Sequence, residues 1–320
     1  MRTLFLILLT MLAPHIQAQT LLNQAVIVQV PDGRLHGTLL LPKSAEPIPV
    51  ALLIAGSGPT DRNGNSPMGH NDSLKRLAQA LARYGIASLR YDKRGVGQSL
   101  AIAPDERQLH VERYAADAVA WTQMLKADPR FSAVVLIGHS EGALIASLAT
   151  SVAKPDALIS IAGSGRPIDS LLREQLQGRL PPALLATAHY LIDELKAGRM
   201  HEQVPDALHI LFRPSVQPYL ISLFGQDPAE AFANTTVPAL IIQGTHDIQV
   251  EQQDAEALQR AREDAELALI AGMNHVLRIV PMDRNEQTAS YNQPELPIAY
   301  ALTERISQFL HRNGLLPASS

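Results

Sequence analysis

Ala133-Val134-Val135-Leu136-Ile137-Gly138-His139-Ser140-Glu141-Gly142 begins as an all-apolar run, passes through a G-x-S-x-G pentapeptide, and opens a helix-forming stretch from Gly142 to Val152. A serine set between a buried strand and a helix sits on a very tight turn. Glycines two residues to either side keep Cβ atoms out of the crowded backbone there. The N-terminus of the following helix favours developing negative charge. G-x-S-x-G is common in ordinary turns, so the strand-to-helix setting is what points to Ser140 as a nucleophile.

Outward from this segment the same alternation repeats. Val50 to Ala55 reads as a buried strand, Leu74 to Tyr84 as an amphipathic helix stopped by Gly85, and Ile86 to Tyr91 as a further strand. A helix over Val111 to Lys126 precedes the central segment, and a strand at Ala157 to Ala162 follows it. Repeated strand-then-helix units predict an α/β fold with a mostly parallel sheet covered by helices on both faces. Before them, Ala25 to Val30 and Leu35 to Leu41 flank Pro31-Asp32-Gly33, so the sheet is expected to open with antiparallel N-terminal strands. From Gly165 to about Thr236 the strand signal gives way to helical stretches, Leu171 to Leu176, Ala186 to Lys196 and Pro218 to Phe224. Alternation then resumes with Ala239 to Gln243, Glu251 to Arg262, Glu266 to Ile270 and a closing helix near Ile298 to His311. The expected organisation is a core over 19–164 and 237–320, interrupted by a helical cap over 165–236. The stretches Pro42 to Pro49 and Pro281 to Pro297 read as surface connections.

Serine needs a base to take its proton and an acid to orient that base, expected here in the chain order Ser, acid, His. Gly244-Thr245-His246-Asp247 and Gly272-Met273-Asn274-His275 each follow a strand end, which marks Asp247 as the acid and His275 as the base among 11 histidines. His246 and Glu251 are the local competitors in the acid region. A tetrahedral intermediate also needs two main-chain N–H donors, one after the nucleophile and one after the early strand, positions filled by Glu141 and Ser57. The loop Gly56-Ser57-Gly58-Pro59-Thr60-Asp61-Arg62-Asn63-Gly64 lacks the Lys-Ser/Thr ending of a phosphate-binding loop. Within the cap, Phe212, Tyr219 and Phe224 are candidates to face the substrate, alongside Leu185, Tyr190, Leu191 and Leu211. An apolar helix face is equally suited to holding the cap on the core.

These motifs resemble the α/β-hydrolase superfamily in its serine aminopeptidase-like and carboxylesterase branch, over roughly Ala25 to the last helix. Gly56-Ser57-Gly58-Pro59 followed by Asp61-Arg62-Asn63-Gly64 is similar to a loop of one esterase group. Tyr91-Asp92-Lys93-Arg94-Gly95-Val96-Gly97-Gln98-Ser99 is a second family-like segment, in which Asp92 and Arg94 read as a local ion pair fixing the loop. The resemblance implies ester cleavage through an acyl-enzyme on a small-molecule ester, with no cofactor and no metal. Dehalogenases need a carboxylate where Ser140 stands, and dienelactone-type enzymes need a thiol that a chain without Cys cannot supply. A serine aminopeptidase remains an alternative, with Glu174, Asp193, Glu194, Glu202 and Asp206 as candidates to hold a substrate ammonium group. A non-catalytic binding protein on the same fold is a third reading.

Composition fits these expectations. Apolar residues are 46% of the 320 and charged residues 18%, enough for a large core. A net charge of −4 with no Lys/Arg run offers no footprint for nucleic acid or an anionic membrane. Arg2, the apolar run Leu4 to Leu12 and Ile16-Gln17-Ala18 read as a signal peptide over 1–18, which predicts export to the periplasm or medium without a lasting membrane anchor.

Overall fold

The computed structural model describes residues 21–317, so the expected leader lies outside the described residues. Eight strands form one sheet: β1 (Leu21–Val30), β2 (Gly33–Pro42), β3 (Ile48–Ile54), β4 (Ala87–Tyr91), β5 (Phe131–His139), β6 (Ala157–Ile161), β7 (Ala239–Gly244) and β8 (Glu266–Ile270). Their spatial order is β1-β2-β4-β3-β5-β6-β7-β8. The strand β2 pairs antiparallel with both β1 and β4, and every pairing from β4 to β8 is parallel. The chain belongs to the α/β class, with the mostly parallel sheet and the antiparallel N-terminal strands that the sequence predicts.

Eleven α-helices are described: α1 (Ser73–Ala82), α2 (Val111–Lys126), α3 (Glu141–Ala153), α4 (Ile168–Leu176), α5 (Pro182–Lys196), α6 (His209–Phe212), α7 (Gln217–Phe224), α8 (Pro228–Ala233), α9 (Gln252–Ala261), α10 (Arg284–Ser290) and α11 (Tyr300–Arg312). The continuous apolar strands explain why both sheet faces are covered. In β3, Val50, Leu52 and Ile54 enter one cluster with Trp121 of α2 and Leu144 of α3, whereas Ala51 and Leu53 enter another with Leu81 of α1 and Ile306 of α11. Successive side chains point to opposite faces, so a run without polar gaps requires cover on both. Among the described residues no helix is long and apolar enough to cross a membrane.

Helices α4 to α8 lie between β6 and β7. The cap has an apolar cluster of its own, from Leu176 through Leu191, Ile192 and Leu195 to Phe212 and Phe224. Helix α8 differs from the rest of the insert, because its Phe232 joins the main core cluster with residues of α3 and α9. Three helices, α6, α8 and α10, were not expected from the sequence. In α8 the Asp227 carboxylate accepts from the Ala229 and Glu230 N–H groups at 2.9 and 3.1 Å, and in α10 Asp283 does the same for Asn285 and Glu286. Both starts carry Asp-x-x-Glu, a capping pattern that outweighs the neighbouring prolines as a signal.

Candidate active site

Ser140 follows β5 and stands at the N-cap of α3 with φ +56° and ψ −127°, a conformation that residues with a side chain rarely adopt. Its N–H is fixed by the Ile161 carbonyl at 2.9 Å, and its own carbonyl accepts from Ala143 at 2.9 Å. The flanking glycines are sterically required. A Cβ on Gly138 would lie 2.2 Å from the Gly142 carbonyl oxygen, and one on Gly142 would lie 2.3 Å from that of Ile54. Strand, turn and helix thus close on one another with no room to spare, and the half-buried Ser140 is left at the carboxyl end of the central strands.

The acid and base come from the loops after β7 and β8. His275 Nδ1 meets Asp247 Oδ2 at 2.8 Å, with both side chains buried. The other carboxylate oxygen of Asp247 accepts from the Gln249 and Val250 N–H groups at 2.8 and 3.1 Å. Burial pushes the Asp247 carboxyl up, but the facing His275 and these N–H donors outweigh it and hold the group below the usual carboxylate range. An ionised acid on Nδ1 leaves His275 Nε2 free to take a proton. The imidazole stands beside the turn, its ring 4.9 Å from that of His139, the residue before Ser140. No hydrogen bond joins Ser140 Oγ to His275 in this conformation, a contact that free enzymes often leave long. Glu251, the competing carboxylate, caps α9 in a reciprocal capping box with Asp254. His246 Nδ1 is taken by the Val280 carbonyl at 2.6 Å.

The two candidate N–H donors flank the serine. A Cβ built on Gly56 would stand 3.0 Å from Ser140 Cβ and 3.6 Å from its Oγ, which brings the Ser57 amide alongside. Neither the Ser57 nor the Glu141 N–H donates to another protein group among the described residues. The loop is held from below by the second family-like segment. Asp92 Oδ1 accepts from the Arg62 N–H at 3.0 Å, and its Oδ2 takes the Arg62 guanidinium at 2.7 Å and the Gln98 N–H at 2.9 Å. Asp92 and Arg94 do not pair with each other. Arg94 instead forms a buried two-pronged contact with Asp117 on α2, at 2.7 and 2.6 Å. Beyond β4 the chain turns at Arg94-Gly95, where Gly95 has φ +79°, so Arg94 faces α2 while Asp92 faces the Arg62 loop.

The cap residues separate into two kinds. Phe212 is fully buried and Phe224 nearly so, both inside the cap's own apolar cluster. The structure does not bring them to Ser140, because their rings fill the common interior of the cap helices together with Leu176, Leu191, Ile192, Leu195 and Leu208. Tyr219 instead reaches the turn: its hydroxyl donates to Glu141 Oε1 at 2.5 Å, and its ring packs edge-on against Tyr114 at 5.6 Å. Burial and the neighbouring Glu141 push its phenol well above the ordinary range, so it stays a donor. Sequence reasoning passed over two residues here. His139 donates to the His275 carbonyl, and Lys93 donates to the Gly56 carbonyl. Nothing local singled out Lys93, a charged residue two positions past the all-buried β4.

The family model for serine aminopeptidase, S33, matches residues 68–279. Esterase EstD of Thermotoga maritima is 30% identical over 247 residues, which make up 76% of this chain and 58% of that protein. The chain therefore spans less than two thirds of that relative's length. Est1E from Butyrivibrio proteoclasticus, solved with ferulic acid bound, superposes with a TM-score of 0.60 at 18% identity over 90% of this chain and 99% of its own. The acylaminoacyl peptidase of Pyrococcus horikoshii gives a TM-score of 0.60 at 15% identity, covering 95% of this chain and 43% of its own. Likeness at such identities is a likeness of fold.

Proposed function

Because the chain belongs to the serine aminopeptidase S33 family of α/β-hydrolases, we propose that it cleaves carboxylic esters through an acyl-enzyme on Ser140. The observation that carries this reading is the buried His275–Asp247 pair at 2.8 Å beside a serine held at φ +56° between strand and helix. In the proposed reaction His275 Nε2 takes the Ser140 proton as Oγ adds to the ester carbonyl, and Asp247 stabilises the imidazolium. The Ser57 and Glu141 N–H groups receive the oxyanion, and His275 returns the proton to the departing alcohol. Water then repeats the sequence on the acyl-enzyme and releases the acid. These steps use side chains and main chain alone.

The ester reading is favoured over the aminopeptidase reading by the state of the cap carboxylates. Of the five candidates, Glu174 is held by Arg166 at 2.7 Å, Asp193 by Arg173 at 2.7 Å, and Glu194 by Arg199 and His201, whereas Glu202 and Asp206 are exposed and make no ion pair among the described residues. A carboxylate already matched by a cation is a poor anchor for a substrate ammonium group. A panel of p-nitrophenyl esters and amino-acid p-nitroanilides tests the choice. Esters should turn over at least about a hundredfold faster in kcat/KM, a gap of nearly 3 kcal/mol in activation free energy. Preferential cleavage of the anilides would reverse the assignment. Export forms part of the same proposal, supported by the order of Arg2, the apolar run and Ala18. Mass spectrometry of protein from the native host should find a chain starting near Gln19, and recovery of intact Met1 protein from the cytosol would contradict it.

A further inference from the structure

Lys93 is 1% exposed, although an ammonium group is among the costliest to bury. It fills no gap that a methionine would not fill. Its Nζ donates to the Gly56 carbonyl at 2.5 Å and the Gly58 carbonyl at 3.0 Å, and lies 5.2 Å from the centre of the Tyr114 ring. Both accepted carbonyls belong to the loop that carries the Ser57 amide.

The geometry of a peptide unit gives this contact a consequence. In a trans peptide the C=O of one residue and the N–H of the next point to opposite sides of the chain. No cis peptide bond occurs among the described residues. With the Gly56 oxygen drawn inward to the buried ammonium, the Ser57 N–H must point outward. Ser57 itself is exposed, and Gly56 lies against Ser140, so outward is the side on which the serine hydroxyl stands.

We propose that Lys93 is the positioning residue of the oxyanion hole, holding the Gly56 and Gly58 carbonyls so that the Ser57 N–H faces the oxygen that becomes negative. The proposal rests on Ser140 being the nucleophile. As Oγ bonds to the carbonyl carbon and its proton passes to His275, the C=O π pair moves onto that oxygen, and collapse of the adduct returns it. Lys93 exchanges no proton in these steps. The other donor belongs to Glu141, whose carboxylate makes no hydrogen bond to Lys93 but lies near enough to act on its charge. Glu141 carries it on its own main chain, while its carboxylate takes the Tyr219 hydroxyl at 2.5 Å. That carboxylate favours the charged form of Lys93, against burial, which pushes the ammonium pKa down. Lys93 thus holds the loop of one donor, and Tyr219 ties the side chain of the other to helix α7 of the cap.

Labelling with a fluorophosphonate and inhibition by a trifluoromethyl ketone, which adds to the serine as an oxyanion, test the idea on the full chain. Lys93→Met should slow ester turnover and labelling by roughly 10²- to 10³-fold, the usual loss for one misplaced oxyanion donor. Ketone affinity should fall by a similar factor with KM nearly unchanged, and Lys93→Arg, which keeps donors on the carbonyls, should recover part of each. A folded Lys93→Met that labels at the wild-type rate, or loses KM while keeping ketone affinity, overturns the proposal. Should Lys93→Met not fold, the crystal structure of phosphonylated wild type decides. It should show the Ser57 N–H on the phosphoryl oxygen with Lys93 still on Gly56, and a Ser57 N–H turned away refutes the role. Wild type that does not label at Ser140 overturns the nucleophile reading itself, a result visible without any variant.

Discussion

His139 donates through Nε2 to the main-chain carbonyl of His275 at 2.8 Å, tying the residue before the nucleophile to the residue that bears the base. The bond needs a proton on Nε2, which the Nε2–H tautomer and the imidazolium both supply. Burial, then the neighbouring His275, depress the His139 pKa to about 4, although the carbonyl and Asp247 act the other way. In the unfolded chain a histidine titrates near 6.5. Between those values the unfolded state binds more protons, so this contribution is fully present above about pH 6.5 and is lost as pH falls toward 4. Its upper bound is about 3 kcal/mol. Urea melts at pH 7 and pH 4.5 should show wild type losing more stability than His139→Gln, and equal losses would remove His139 as the cause.

Asp247 acts in the same direction in a lower window. Its folded pKa is held below the usual carboxylate value, so its contribution is present above the unfolded value near 4 and is lost as pH falls through the folded one. Asp247→Asn should lower kcat by about 10⁴-fold by favouring the wrong His275 tautomer, while KM moves little. Glu251→Gln should be mild, since Glu251 serves as a helix cap. The reverse order of effects in steady-state kinetics would show that the wrong carboxylate is named.

The turn at Ser140 carries strain that can be measured apart from activity. Ser140→Ala should abolish nearly all turnover and keep the φ +56° strain, whereas Ser140→Gly should also be inactive but relieve it. The glycine variant is expected to exceed the alanine variant by about 1 kcal/mol in chemical denaturation. Equal stability would mean that the turn is not strained, and near wild-type ester cleavage by either variant would show that Ser140 is not the nucleophile.

How much of this was legible in the sequence depended on whether the signal was local. The G-x-S-x-G turn and the Asp247 and His275 positions could be read because each lies where a strand ends, and strand ends are marked by apolar runs of fixed length. Helix α10 was hidden because the prolines of 281–297 suggested a surface connection, and α8 because it is only six residues long, although Asp283 and Asp227 carried capping patterns. The partners of Asp92 and Arg94 were not legible, since Arg62 and Asp117 meet them only through the strand order β2-β4-β3 and the placement of α2. Lys93 belongs with them: nothing in its neighbours along the chain points to the Gly56 carbonyl.

The cap offers the sharpest contrast between a residue that packs and one that reaches the site. Phe212 lies fully buried within the cap's own cluster, so Phe212→Ala leaves a cavity there and should cost about 3 to 5 kcal/mol of stability. With no surface of its own facing Ser140, it should leave the preference between short and longer acyl esters unchanged. Tyr219→Phe removes a single oxygen and leaves the Glu141 carboxylate without its 2.5 Å donor beneath the turn. An unmet buried acceptor costs about 1 to 3 kcal/mol, a smaller loss than the Phe212 cavity, yet it falls on the residue whose N–H receives the oxyanion. Turnover should therefore drop more in Tyr219→Phe than in Phe212→Ala, while thermal stability should drop more in Phe212→Ala. Ester kinetics and melting curves on the two variants check both orders. A shifted acyl-length profile in Phe212→Ala would place that ring at the substrate, and unchanged kcat in Tyr219→Phe would detach the cap from the turn.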